Sequence, residues 1–167
     1  DPRRGFFRGY YKDPEATETA WADGWFHTGD VVRREKTGFL FFVDRRKNVI
    51  RRSGENIAAV DVESVLMRHP EVTAAGVAPV PDPLRGDEVF ACLTGSNPTP
   101  ETAEQIARWA LDNMAYYKVP GFIAFVDSLP LTATQKIQRA ELKALALHHL
   151  EKSSTINLVH LKKRRVS

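Results

Sequence analysis

The sequence has only one cysteine, Cys92, so no disulfide can form within the chain. A lone cysteine in an apolar stretch is typical of a core residue in a protein kept in a reducing compartment, which favours a cytoplasmic location. No run of about 18 apolar residues occurs, so no membrane-spanning helix is predicted. The net charge of +3 is small for 167 residues and gives no reason to expect a nucleic-acid partner.

Metal-ligand patterns are also missing. None of the five histidines has the spacing to Cys or carboxylate residues that a metal site requires, so we predict no metal site. Internal repeats and low-complexity tracts are absent as well. The length suits one domain, or one domain plus part of another. Since the chain begins Asp1-Pro2 without an initiator Met, we expect it to be a piece of a longer protein.

The first 43 residues contain two predicted strands, residues 31–34 and 38–43, joined by a turn. The aromatic and β-branched run 39–43 is typical of a strand buried on both faces. Aromatic residues also cluster near the start of the chain. We therefore interpret residues 1–43 as the end of a larger N-terminal domain.

Residues 48–150 alternate strands and helices in an α+β pattern. Thr99, followed by Pro100, is a predicted N-cap. A turn is predicted over residues 53–56, and residues 151–167 are expected to form a basic tail. The predicted strands include 72–80, 88–94 and 122–126, and the predicted helices are 60–68, 100–115 and 139–150.

Two separated motifs carry chemistry. Residues 24–30 read Gly-Trp-Phe-His-Thr-Gly-Asp and place the Asp30 carboxylate behind a turn, where it can accept hydrogen bonds from a vicinal diol such as a ribose. Lys136 is a single cation on a Pro- and Thr-rich loop. Each has a simpler interpretation, because Asp30 can cap a turn and Lys136 can be a solvated surface lysine.

A third motif, residues 44–57, contains four arginines and one lysine. Charge alone favours a solvated edge, because Lys and Arg are rarely buried without a partner. The functional alternative is that Arg45 offers a planar fork of donors to ribose oxygens or a phosphate. Gly54 permits a positive φ angle or a close approach of the backbone.

In this order the three motifs resemble those of the adenylate-forming acyl-CoA synthetases, the AMP-dependent synthetase and ligase family. The resemblance covers residue 5 to about residue 145. The middle motif is similar to the family's Gly-Arg-x-Lys-Asp-x-Ile-x-x-x-Gly-Glu-Asn-Ile. The last motif is similar to Pro-x-Thr-x-x-Gly-Lys-x-x-Arg, with Gln135 in place of the glycine. The matching residues are Arg45, Lys47, Ile50, Gly54, Glu55, Asn56, Ile57, Pro130, Thr132, Lys136 and Arg139.

The resemblance implies a role for each matched site residue. Asp30 would hold the ribose hydroxyls, and Arg45 would contact the same ribose or the phosphate. Lys47 would be a hinge, and Gly54 would line the tunnel for the pantetheine arm of coenzyme A. Lys136 would be the catalytic cation that bridges the α-phosphate and the substrate carboxylate. The implied ligands are ATP, Mg²⁺, coenzyme A and a carboxylic acid.

The implied organisation is a large N-terminal domain ending in residues 1–43, a hinge at 44–47, a mobile domain at 48–150 and the tail at 151–167. The mobile domain would have a mixed sheet flanked by about three helices. By itself the fragment is expected to be inactive and to bind none of these ligands tightly, since its partner would be the missing N-terminal domain; a homodimer is a further possibility. The alternatives are a stand-alone binding or regulatory module, which Gln135 favours, and an adenylation domain that loads a carrier protein.

Overall fold

A computed structural model of the chain describes residues 5–152 and 154–162. The chain forms two compact units, residues 1–47 and residues 48–167, and the division falls directly after Lys47. Each unit has its own secondary structure and its own packed side chains.

The described residues of the first unit form one short α-helix, a 3-10 turn at Ala22–Gly24 and a two-stranded antiparallel ribbon. Helix α1 spans Pro14–Ala20, and the Asp13 side chain caps it by accepting a hydrogen bond from the Ala16 N–H. Strands β1, Asp30–Arg34, and β2, Leu40–Arg45, pair with a bulge after Val31. Both strands were predicted, whereas α1 was not.

The apolar run of β2 is exposed in this unit. Phe39 is 70% exposed and Phe42 is 62% exposed, so the prediction of a strand buried on both faces is wrong for this chain. The physical reason is that, among residues 5–47, no second layer covers the faces of the two-stranded ribbon. Nearby, Trp21 is buried among the rings of Phe6, Phe7 and Phe26.

The described part of the second unit is a mixed sheet with three α-helices, which confirms the α+β prediction. The elements are β3 (Val49–Arg52), β4 (Glu55–Ala58), α2 (Ala59–Leu66), β5 (Ala74–Asp82), β6 (Gly86–Thr94), α3 (Pro100–Asn113), β7 (Phe122–Phe125), α4 (Arg139–Glu151) and β8 (Ile156–Asn157). The sheet order is β4-β3-β6-β7-β8, and β5 pairs along β6. Strands β6 and β7 are parallel, while the other pairs are antiparallel.

Helices cover both faces of β6. Val89, Ala91 and Leu93 belong to a core cluster that includes residues of α2 and α3. Phe90 and Cys92 alternate with them and belong to a second cluster that includes residues of α4. This arrangement explains why the strand is apolar at successive positions rather than at every second one.

Two boundaries differ from the predictions. The turn expected over residues 53–56 is confined to Ser53 and Gly54, because Glu55 already pairs with Arg52 in the β3–β4 hairpin. The tail expected from residue 151 belongs to the folded unit over residues 156–162, since β8 pairs with β7 and the Lys162 side chain is buried. The basic residues 163–165 of the expected tail lie outside the described residues.

Candidate functional site

Asp30 and Arg45 face each other at the end of the β1–β2 ribbon. They are paired in register, and Arg45 Nε lies 2.8 Å from Asp30 Oδ1. Arg45 also donates a hydrogen bond to the Thr28 carbonyl, while the Asp30 N–H donates to Thr28 Oγ1. Two of the predicted site residues are thus brought together by the strand register.

This ion pair is only partly buried. The Asp30 side chain is 27% exposed and the Arg45 side chain is 55% exposed. Ion pairs at such exposure contribute about 0–1 kcal/mol to stability. A carboxylate offers about four acceptor positions, more than one ion pair uses. The pair can therefore present acceptors and donors together to a sugar bearing a phosphate.

Lys47 is the last residue of the first unit and lies in a 3-10 turn, Arg46–Asn48. Its side chain lies outside the described residues. The hinge role assigned to it remains a prediction.

Gly54 lies in the two-residue turn of the β3–β4 hairpin. Ser53 and Gly54 have φ angles of +50° and +84°, the left-handed conformation that a tight hairpin turn requires. A Cβ at Gly54 would meet nothing within 4 Å. Backbone conformation, rather than a lack of space, therefore favours glycine there.

The hairpin is fastened to the start of β6. The Ser53 N–H donates to the Arg85 carbonyl, and the Arg51 N–H donates to Asp87 Oδ2, both at 2.9 Å. Arg52 pairs with Gly86 in the sheet. These bonds fix the β3 side of the turn.

Beside the turn lies a buried ionic cluster of Arg52, Glu88 and Lys162. Arg52 Nε is 2.9 Å from both carboxylate oxygens of Glu88, and Arg52 is 4% exposed. The Lys162 ammonium also donates to Glu88, which is fully buried. Burial lowers the pKa of Lys162 to about 8, with Glu88 opposing the shift and the charges of Arg52 and Arg85 adding to it. Its charge alone suggested that Arg52 lies on a solvated edge, but the side chain is buried.

Lys136 lies on an ordered loop between β7 and α4. The Thr132 N–H donates to the Lys136 carbonyl at 2.8 Å, and the Lys136 N–H donates to Thr132 Oγ1 at 3.1 Å. Leu131 and Ile137 form a β-bridge that closes the loop. The Lys136 side chain is exposed. Hydrogen bonds thus fix the backbone at Lys136, while its side chain is exposed to solvent.

Gln135 adopts the conformation that a glycine would favour. Its φ angle is +61°, and its N–H donates to the Thr132 carbonyl. A left-handed conformation costs a residue with a Cβ about 1–2 kcal/mol. Gln135 therefore strains the loop without preventing its turn.

Arg139 anchors the end of this loop at the first turn of α4. Its guanidinium forms two hydrogen bonds to the carboxylate of Glu63 on α2, one of them at 2.9 Å, and donates to the Val77 carbonyl. Glu63 also accepts from the Val77 N–H at 2.8 Å. The loop that bears Lys136 is thereby tied to both a helix and a strand.

Residues 61–136 match the family described as AMP-binding enzyme C-terminal domain. Residues 61–136 therefore belong to that domain family. The chain is 39% identical over 145 residues to the oxalate–CoA ligase of Arabidopsis thaliana. This match covers 87% of this chain and 28% of that protein. It is 41% identical over 141 residues to the 2-succinylbenzoate–CoA ligase of Geobacillus kaustophilus, covering 83% of this chain and 28% of that relative.

A solved structure supports the same assignment. The o-succinylbenzoate CoA synthetase of Bacillus subtilis, in complex with the acyl-adenylate intermediate OSB-AMP, superimposes with a TM-score of 0.70 at 35% identity. The match covers 81% of this chain and 28% of that one. The chain thus spans 28% of the length of these relatives.

The buried ionic partners Glu63, Glu88 and Lys162 were not predicted as site residues. Glu63 and Glu88 lie in apolar helix and strand segments, and Lys162 lies in the expected tail. A carboxylate inside an apolar run was the available signal, because buried charges are almost always paired. Sequence alone does not give the partner.

Proposed function

We propose that the chain works as the C-terminal part of an ATP-dependent acid–thiol ligase. In the first half-reaction a carboxylate oxygen attacks the α-phosphorus of ATP, and pyrophosphate leaves. In the second, the coenzyme A thiol loses its proton and attacks the acyl carbon, and AMP leaves. The similarity to CoA ligases supports the reaction class.

The observation that carries the proposal is the exposed ammonium of Lys136 on a loop whose backbone is fixed by Thr132 and Arg139. The first half-reaction brings two anions together, so it needs a pre-placed cation rather than a protein nucleophile. Lys136 supplies that cation between the α-phosphate and the acid.

The Asp30–Arg45 pair suits the nucleotide, because it joins acceptors for the ribose hydroxyls to a donor fork. Among residues 5–152 and 154–162, no group of three or more His, Cys, Asp or Glu side chains has the arrangement of a metal site.

The second half-reaction requires Lys136 to leave so that a thiol can enter. We propose that residues 48–150 rotate about Lys47, since the two compact units divide there, and that the turn at Gly54 then lines the path of the pantetheine arm.

No helix among the described residues has the length and apolar character of a membrane span. The free thiol of Cys92 supports a cytoplasmic location.

The first prediction tests Lys136 by separating the half-reactions in the complete enzyme. Lys136→Ala should slow adenylation, measured as pyrophosphate release, on the order of 100- to 1,000-fold, because one pre-placed donor is lost. Thiolysis of supplied acyl-adenylate should persist. Lys143→Ala, which removes an exposed lysine from α4, is the matched control. Adenylation within a few-fold of the unsubstituted enzyme would make Lys136 a surface lysine.

A stand-alone binding or regulatory module is the second candidate, favoured by the strained Gln135. Such a module would bind a ligand without the rest of the enzyme. Loading of a carrier protein instead of coenzyme A is the third, and thioester formation on free coenzyme A by the complete enzyme would exclude it.

A further inference from the structure

Two loops have proposed roles, the Ser53–Gly54 turn and the loop that bears Lys136. Each has an arginine close to it, and each arginine is paired with a different buried carboxylate. Arg52 directly precedes the Ser53–Gly54 turn, and Arg139 follows Lys136 by three residues. Their partners, Glu88 and Glu63, lie on different elements. The two loops are therefore braced separately.

The brace of the hairpin is centred on Glu88. This carboxylate accepts hydrogen bonds from the Arg52 guanidinium and the Lys162 ammonium, and it also accepts one from the Val89 N–H at 2.9 Å. A Cβ at Gly121 would lie 2.7 Å from the Glu88 side chain, so the carboxylate is closely packed as well as bonded. Loss of its charge would leave two buried cations without a counter-ion.

The brace of the Lys136 loop is centred on Glu63. The Glu63 carboxylate accepts two hydrogen bonds from the Arg139 guanidinium and one from the Val77 N–H. Arg139 also donates a hydrogen bond to the Val77 carbonyl. Its side chain is 11% exposed and that of Arg139 is 23% exposed. Among the described residues, Glu63 and Glu88 have no ion-pair partner in common.

We infer that Glu63 and Glu88 are positioning residues for different half-reactions. Glu63 fixes the loop that presents Lys136 for adenylation, and Glu88 fixes the hairpin that guides the thiol for thioester formation. The inference rests on the proposed function only for the chemical role of each loop. The separate bracing is a property of the chain itself.

The physical reason is the cost of burying a charge when a carboxylate beside it is neutralised. Glu→Gln keeps size and hydrogen-bonding ability but removes the carboxylate charge, so the nearby arginine is stabilised when its loop opens to water. Removing one partner of a buried pair shifts such an equilibrium on the order of 100-fold. The shift should be confined to the loop that the arginine adjoins.

The first measurement is amide hydrogen exchange on the 167-residue chain. Glu88→Gln should accelerate exchange of the Arg51 and Ser53 amides on the order of 100-fold and leave those of Thr132 and Gln135 unchanged. Glu63→Gln should do the reverse. Each variant is the control for the other. Acceleration of both loops by one substitution, or of neither, would overturn the inference whatever the enzyme catalyses.

The second measurement follows the two half-reactions in the complete enzyme. Glu63→Gln should lower the rate of pyrophosphate release about 100-fold and spare thiolysis of supplied acyl-adenylate, because displacement of a catalytic group by about 1 Å costs that much. Glu88→Gln should spare pyrophosphate release and lower thiolysis. If exchange separates as expected but the half-reactions do not, the proposed function fails and the bracing stands.

Milder variants cover the case in which Glu88→Gln does not fold. Arg52→Lys and Arg139→Lys keep the charge but lose the guanidinium fork, so each should accelerate exchange in its own loop about tenfold. The half-reaction affected should be the same as for the partner carboxylate. An Arg52→Lys variant that loosens the Lys136 loop would contradict separate bracing.

Discussion

Lys162 gives the folded chain a stability that rises with pH. Its pKa is lowered from 10.5 to about 8, because its ammonium is buried beside Glu88 with two further cations, Arg52 and Arg85, nearby. Below about pH 8 both the folded and the unfolded chain hold this proton, so the cost of burying the charge is fully present. Between about pH 8 and 10.5 the unfolded chain holds more protons, and the free energy of unfolding increases.

The magnitude follows from the size of the shift. One pKa unit corresponds to about 1.4 kcal/mol, so the full contribution is about 3 kcal/mol, most of which is recovered by about pH 10. Lys162→Met removes the titrating group and keeps an apolar stem of similar length. The unfolding free energy of the unsubstituted chain, minus that of this variant, should therefore increase by about 2–3 kcal/mol from about pH 7 to pH 10.

The assay is urea unfolding at several pH values, followed by helical circular dichroism. Comparison with the variant cancels the titration of all other groups. Lys143→Met makes the same change at an exposed position of α4, and its difference from the unsubstituted chain should stay constant within about 0.5 kcal/mol. A Lys162→Met difference that is equally constant would refute the reasoning, because it would mean that the ammonium is not desolvated.

Three further predictions concern the proposed site. The 167-residue chain should bind ATP weakly or not at all, since Asp30, Arg45 and Lys136 are its only predicted nucleotide contacts; micromolar affinity by calorimetric titration would contradict this. In the complete enzyme, Lys47→Pro should block thioester formation but spare pyrophosphate release, because it fixes φ at the hinge; Lys47→Ala is the control, and equal loss of both activities would argue against a hinge. Gln135→Gly should raise the unfolding free energy by about 1 kcal/mol in urea, because it relieves the positive φ angle, and a decrease would show that no strain is stored there.

The elements that sequence predicts well are those with a strong local signal. Helix α3 begins at Pro100, as the Thr99 cap predicts, and the Thr99 side chain accepts a hydrogen bond from the Thr102 N–H. The apolar runs correctly indicate β5 and β6 because both strands are covered by helices. The Asp30–Arg45 contact follows from two motifs that strand pairing brings together.

The remaining features depend on contacts between distant residues. Glu88 and Lys162 are separated by 74 positions, and nothing local to either indicates the other. Helix α1 has only 7 residues and little periodicity, so its Asp13 cap and Pro14 were its main signals. The exposure of β2 is a property of what surrounds the strand, which its composition does not encode.

The placement of the tryptophans allows the two compact units to be observed separately. Trp21 and Trp25 lie in the first unit, and Trp109 lies on α3 in the second. A two-stranded ribbon with exposed apolar residues is only marginally stable in water. The emission of the first two indoles should therefore change at lower urea concentrations than that of Trp109. Unfolding of this chain would then have two midpoints, and the free energy that Lys162 and Gln135 affect would be that of the later transition, which belongs to the second unit.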